Sequence, residues 1–103
     1  MCGLLGFLAT GGNATAYADS VTAALPHMRH RGPDEHLTWH NQDVVFGFTR
    51  LSIIDIKNAH QPMVWGPADD PERYILAFNG EIYNYVELRD ELQHEFGAEF
   101  HTI

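Results

Sequence analysis

One cysteine, six basic residues and no apolar stretch of membrane-spanning length are the scarcities of this 103-residue chain. A single cysteine cannot close an internal disulfide, so nothing points to an oxidising compartment. Six Lys+Arg against fourteen Asp+Glu leave a formal charge of −8. The cations are scattered, which argues against a nucleic-acid partner, because phosphate backbones are held by clustered positive charge. The apolar opening from Gly3 to Ala9 is too short for a signal peptide and lacks its cationic flank, and no run approaches a membrane span. The chain is therefore expected to be cytoplasmic, with no membrane partner. Asn13-Ala14-Thr15 matches a glycosylation sequon, which means little without a secretion signal. The length allows one domain with a modest core.

Gly3 to Ala9 has the length and apolarity of a buried strand, bounded by Thr10-Gly11-Gly12-Asn13. From Thr15 to Met28 the apolar positions Tyr17, Val21, Ala24, Leu25 and Met28 fall at helical spacing, with Asn13 or Thr15 as caps and Pro26 kinking or ending the helix. His36 to His40 and Val44 to Arg50 read as strands of a hairpin joined across Asn41-Gln42-Asp43. Leu51 to Ile56 continues extended or turns a corner. Gly66 to Pro71 is dense in turn formers, and Tyr74 to Phe78 reads as a further strand. Asn84 and Glu87 form a capping-box pattern for a helix with Leu88, Leu92 and Phe96 on one face, which Gly97 stops. Glu99 to Ile103 resembles the start of another strand.

Three places carry chemistry. Removal of Met1, favoured by the small residue after it, turns Cys2 into a thiol and a free α-amine on one carbon, a nucleophile with its own base. Asn79-Gly80, leaving a strand and entering a capped helix, offers a side-chain amide donor and an unobstructed main-chain N–H, the parts of an oxyanion hole. Taken alone, Asn-Gly reads first as a plain turn, since it is a preferred turn dipeptide. Arg50, at the end of an apolar strand, suits two-pronged recognition of a carboxylate; its plainer alternative is a surface ion pair. Arg29-His30-Arg31-Gly32-Pro33-Asp34 places two of the six cations beside a glycine-proline turn, as a lid or an anion contact. The histidines invite a metal, with His27 and His30 three apart and His36 and His40 on one strand face, but nothing in the sequence makes them converge as tetrahedral ligands. No metal is expected, and His60 reads as loop polarity.

These segments, with Gln61-Pro62-Met63, occur in an order that closely resembles the N-terminal half of the glutaminase domain of glutamine-hydrolysing asparagine synthetases, a branch of the class II glutamine amidotransferases. Arg29 to Asp34 and Asn79 to Asn84 resemble that branch more than the sugar-phosphate or phosphoribosyl branches. The resemblance implies an α+β chain with the N-terminal-nucleophile hydrolase fold, a four-layer αββα sandwich of which residues 1–103 would be about the first half. It also implies roles. Cys2 would attack the glutamine side-chain amide, Asn79 and Gly80 would hold the oxyanion, Arg50 would bind the substrate α-carboxylate and Glu81 would help bind its α-amino group. Leu51, Ile53 and Ile54 would line the pocket, with Arg31 and Gly32 near the nucleophile.

The family's Ser-Asp pair, its later strands and its synthetase domain lie outside the sequence. The partners implied are glutamine, the synthetase domain of the same protein and, for the full-length enzyme, a second copy in a homodimer. No cofactor is expected in this segment; ATP and Mg are implied for the synthetase domain. A half-sheet leaves edges and an apolar face uncovered, so the isolated piece is expected to fold poorly or to associate, and to hydrolyse no glutamine. The alternatives are the glutaminase domain of another class II amidotransferase, or an inactive structural module whose Cys2 is incidental.

Overall fold

A hairpin organises the first half of the chain. In the computed structural model, which describes residues 2–102, β2 (Glu35–His40) and β3 (Val44–Arg50) pair antiparallel. Asn41 builds the turn between them. Its Oδ1 accepts from Asp43 N at 2.8 Å and Val44 N at 2.9 Å, while its own N–H donates to Val44 O, the local bonding that suits Asn to turns. β1 (Gly3–Leu8) pairs antiparallel with the other side of β3, giving the order β1-β3-β2. These strands lie where they were expected, except that β1 ends at Leu8 rather than Ala9 and is exposed along one face instead of buried, and β2 starts one residue earlier.

The expected helix from Thr15 to Met28 is broken into three pieces: a 3-10 turn at Ala14–Tyr17, α1 (Ala18–Ala24), and a second 3-10 turn at Leu25–Met28 that contains Pro26. Pro26 has no N–H to continue an α-helical ladder, which accounts for the change of pitch there. Asn13 stands at the N-cap without a side-chain bond, and Thr15 Oγ1 donates to Asn41 O instead. The broken helix lies on one face of the sheet, over Val45, Gly47 and Thr49, all buried. A methyl group at Gly47 would stand 2.7 Å from Leu25 Cδ2 and 3.0 Å from Val21 Cγ1, so the missing side chain lets helix and sheet touch. Ala9, Ala14, Val21 and Val45 form the core there, flanked by Leu5, Phe7 and Ala18. On the opposite face Phe48 is fully buried, whereas Leu4 and Leu8 are 47% and 72% exposed.

The second half is more open. β4 (Met63–Trp65) and β5 (Tyr74–Leu76) form a separate two-stranded sheet, with Trp65 and Tyr74 stacked at 5.9 Å. β4 was not anticipated, because three residues are too few to show alternation; β5 stops short of the expected Phe78. α2 (Tyr85–Phe96) begins after Asn84, whose side chain makes no capping bond, so only the position of the expected capping box is realised. Gly97, at φ +65°, ends the helix as expected: its N–H reaches Gln93 O at 3.1 Å and Ala98 N reaches Leu92 O at 3.2 Å. The strand expected at Glu99 to Ile103 is not formed over residues 99–102, which pair with none of the described strands; Ile103 lies outside the described residues. No described helix is long and apolar enough to cross a membrane.

Gly32 packs against the end of β3 so closely that a Cβ there would overlap the Thr49 carbonyl group and crowd Arg50 N. Backbone cannot swing aside as a flexible side chain can. Gly32→Ala is therefore expected to destabilise by about 1–3 kcal/mol, the usual cost of overpacking, in urea unfolding of the natural polypeptide that carries this chain. Gly11→Ala, where the nearest atom would be Asn13 Oδ1 at 3.8 Å, should stay within about 0.5 kcal/mol of the parent.

Candidate active site

β3 delivers Arg50 to the interior, 4% exposed. A guanidinium that has lost its water needs replacement acceptors. Nη1 donates to Ile56 O at 3.0 Å and lies 3.3 Å from Glu35 Oε2; Nη2 donates to Asp55 O at 2.8 Å and lies 3.5 Å from Ile54 O. Three successive carbonyls can converge on one group only if the chain turns sharply. It does so at Asp55, in the left-handed region at φ +48°, a conformation that Asp tolerates better than most residues. Asn58 Nδ2 donates to Asp55 Oδ1 at 2.8 Å and fixes that corner. The segment after β3 thus turns rather than continuing extended.

Two acidic residues before and within β2 hold the same segment. Asp34 Oδ2 accepts from Ser52 N at 2.7 Å, and Asp34 N donates to Arg50 O at 3.0 Å. Glu35 stands directly across from Arg50 in the β2–β3 register and faces both the guanidinium and the His60 ring. Burial pushes the Glu35 carboxyl up, but hydrogen bonds and charge from His60 and Arg50 outweigh it and hold it below the ordinary 4.5. His60 moves the other way: its hydrogen bond to Glu35, then one to the Lys57 carbonyl, raise it above the ordinary 6.5.

Cys2 precedes β1 and is half-buried. Its Sγ accepts from Leu51 N at 3.3 Å, and its carbonyl accepts from Arg31 Nε at 3.2 Å. Gly3 must follow it, because a Cβ there would stand 2.7 Å from Thr49 Oγ1 and 3.3 Å from Arg31 Cβ. Arg31 therefore sits beside Cys2 and binds its main chain, whereas Gly32 packs against Thr49 and Arg50 at the end of β3. Asn79, Gly80 and Glu81 arrive from the loop between β5 and α2. That loop is anchored by Phe78 N, which donates to Gln61 Oε1 at 2.6 Å. The Asn79 and Glu81 side chains take no hydrogen-bond partner among the described residues.

Cys2, Leu51, Ile53, Asn79, Gly80 and Glu81 border one small pocket of about 80 Å³. It adjoins a larger, mainly apolar cleft of about 620 Å³, whose walls include Arg50, Ile54, Met63 and Tyr85. Every candidate site residue therefore borders one or both of two adjoining spaces, although the residues come from opposite ends of the chain. The arrangement offers a thiol, a side-chain amide, a main-chain N–H and a carboxylate around one space, with a cation in the wall of the adjoining cleft, which is equipment suited to nucleophilic attack on an amide.

Arg50 differs from a free two-pronged grip and from a surface ion pair. Both Nη atoms are engaged by the loop and Glu35, and among the described residues nothing accepts from Nε. The edge formed by Nε and the loosely held Nη2 is the one left for a ligand. The sequence reading missed Glu35 and gave His60 no role; the register of the hairpin, extended from its Asn41–Val44 turn, carries the signal that Glu35 faces Arg50. Among the described residues no three His, Cys, Asp or Glu side chains gather as metal ligands.

A glutamine amidotransferase domain family matches residues 1–103. A putative glutamine-hydrolysing asparagine synthetase of Mycobacterium tuberculosis strain H37Rv is 58% identical over 112 aligned positions, covering 99% of this chain and 17% of that protein. Asparagine synthetase 1 of Bacillus subtilis is 43% identical, covering 99% and 16%, and asparagine synthetase 1 of Arabidopsis thaliana is 34% identical, covering 93% and 16%. The chain thus spans about one-sixth of the length of these curated relatives. With the match running over its whole sequence, the chain belongs to the glutamine amidotransferase domain family.

Proposed function

We propose that the chain carries the glutamine-hydrolysing half-reaction of an asparagine synthetase, supplying ammonia for amidation of aspartate in another part of a longer polypeptide. The observation that carries this reading is the pocket in which Cys2 meets Asn79, Gly80 and Glu81. In this reading residues 1–103 are the first part of the domain and build toward the four-layer sandwich of N-terminal-nucleophile hydrolases. The half-covered sheet, with Leu4 and Leu8 exposed, supports it. ATP and magnesium, and any homodimer, belong to the longer protein, which is taken to be cytoplasmic.

The chemistry follows from the residues. With Met1 removed, the free α-amine of Cys2 takes the thiol proton, and Sγ attacks the side-chain amide carbon of glutamine. Negative charge moves onto the amide oxygen, where Asn79 Nδ2 and the Gly80 N–H stabilise it. As the oxyanion collapses, the C–N bond breaks and the departing nitrogen takes the proton from the α-ammonium, leaving as ammonia with a γ-glutamyl thioester on Cys2. Water, deprotonated by the same amine, cleaves the thioester to glutamate and restores the thiol. Arg50 holds the α-carboxylate through its Nε edge, Glu81 the α-amino group, and Leu51, Ile53 and Ile54 the methylene chain.

Glutaminase activity of the natural polypeptide tests this. Cys2→Ala should abolish glutamate release and labelling by a glutamine-like electrophile. Asn79→Ala should lower kcat by about 10²–10³, or about 2.7–4 kcal/mol. Arg50→Ala should raise KM for glutamine, and it should lower kcat as well, because the same guanidinium holds the segment that runs on from Leu51 beside Cys2. Full activity in Cys2→Ala, or unchanged KM in Arg50→Ala, would overturn the assignment.

A further inference from the structure

Resting on the assignment of Arg50 to the substrate carboxylate, we infer that Glu35 and His60 are a positioning pair for that guanidinium, so that glutamine affinity depends on His60 being doubly protonated. The geometry of the His60 ring points there. Its Nδ1 lies 2.8 Å from Glu35 Oε1 and 2.9 Å from Oε2, and its Nε2 lies 2.7 Å from Lys57 O. Both nitrogens therefore face acceptors. A neutral imidazole has a single N–H and would turn a ring lone pair onto one of these oxygens. Only the imidazolium donates to both.

The imidazolium clasps the far end of the 51–60 segment to β2, as Asp34 clasps its near end through Ser52 N. Between the two clasps, Ile54, Asp55 and Ile56 present their carbonyls to Arg50. Glu35 is the shared member: His60 Nδ1 reaches both of its oxygens, and Arg50 Nη1 shares Oε2. The charged groups facing His60 are Glu35 from β2 and Arg50 from β3, with Lys57 contributing its carbonyl. Loss of one ring proton leaves either Glu35 or the Lys57 carbonyl facing a ring lone pair, so one of the two bonds that hold this end of the segment opens and the carbonyls that aim the Nε edge of Arg50 are released.

The sign of the pH dependence follows. His60 is raised above 6.5, so its contribution is complete below that value and disappears as pH rises through the raised one. Glu35 is lowered below 4.5, so its contribution is present above 4.5 and disappears as pH falls through the lowered value. The clasp is intact between these limits.

The test is L-glutamine binding by calorimetry to the natural polypeptide in a Cys2→Ala background, from about pH 5.5 to about pH 8.5. Affinity should fall about tenfold across the alkaline half of that range, the scale of one charge-assisted hydrogen bond. In His60→Gln it should be weak and flat with pH, with the same outcome in Glu35→Gln. The effect should vanish for the glutamine analogue whose α-carboxylate is replaced by a carboxamide, which a merely structural role of His60 would not explain. His60 is half-exposed, so its variant remains informative if Glu35→Gln fails to fold. Wild-type affinity and pH dependence in His60→Gln, with binding lost in Arg50→Ala, would overturn the inference and leave the functional reading intact. Undiminished binding in Arg50→Ala would overturn both.

Discussion

The buried guanidinium of Arg50 is the constraint on which the site depends. Removing a cation from water costs several kcal/mol unless acceptors replace the lost hydration. Here they are one carboxylate and three main-chain carbonyls from consecutive residues. Because carbonyls cannot be supplied one at a time, satisfying Arg50 dictates the path of the whole 51–60 segment, including the left-handed turn at Asp55. That path starts at Leu51, whose N–H reaches Cys2 Sγ. Cys2 and Arg50 are thus placed by one folding decision rather than being two residues that happen to be neighbours.

Close approach is the second condition, and it is met by missing side chains. Gly3 leaves room for Thr49 and Arg31 beside Cys2, Gly32 lets the loop before β2 lie on the end of β3, and Gly47 lets α1 reach the sheet. At Gly3 and Gly32 a side chain would push apart the end of β3 and the segments carrying Cys2 and Arg31. The burial of Arg50 and the position of Cys2 would then be lost together. The glycines of the Cys2-Gly3 and Arg31-Gly32 pairs therefore act through packing, and no unusual backbone angle is needed to explain either.

Much of this was legible in the sequence where local chemistry governs. The three strands and the hairpin of two of them followed from apolar runs and the Asn41 turn, and the end of α2 from Gly97, because such signals act within a few residues; the pairing of β1 with β3 was not legible. What the sequence did not reveal depends on partners distant along the chain. β4 exists through pairing with β5, and its three residues carry no pattern of their own. His60 looked like loop polarity because its partner, Glu35, lies twenty-five positions away. The candidate residues themselves were identified by their types and order, but that Arg50 is enclosed rather than open could not be read from Arg50-Leu51-Ser52-Ile53-Ile54-Asp55, since those residues supply main-chain atoms and their side chains say nothing of it.

The enclosure explains why arginine, rather than lysine, suits this position. An ammonium has three donors at one point, and holding Ile56, Asp55 and Glu35 would consume all of them, leaving a loop support that could not also bind a ligand. A guanidinium spreads five N–H groups over a rigid plane. Four lie on the Nη atoms and face the loop and Glu35. The fifth, on Nε, takes no acceptor among the described residues, and Nη2 on the same edge has its longer contact at 3.5 Å to Ile54 O, so exchanging that one contact would present two parallel donors at the spacing of a carboxylate. One residue can therefore shape the wall of the cleft with one edge and grip a ligand with the other, so any group that shifts the first edge also moves the second.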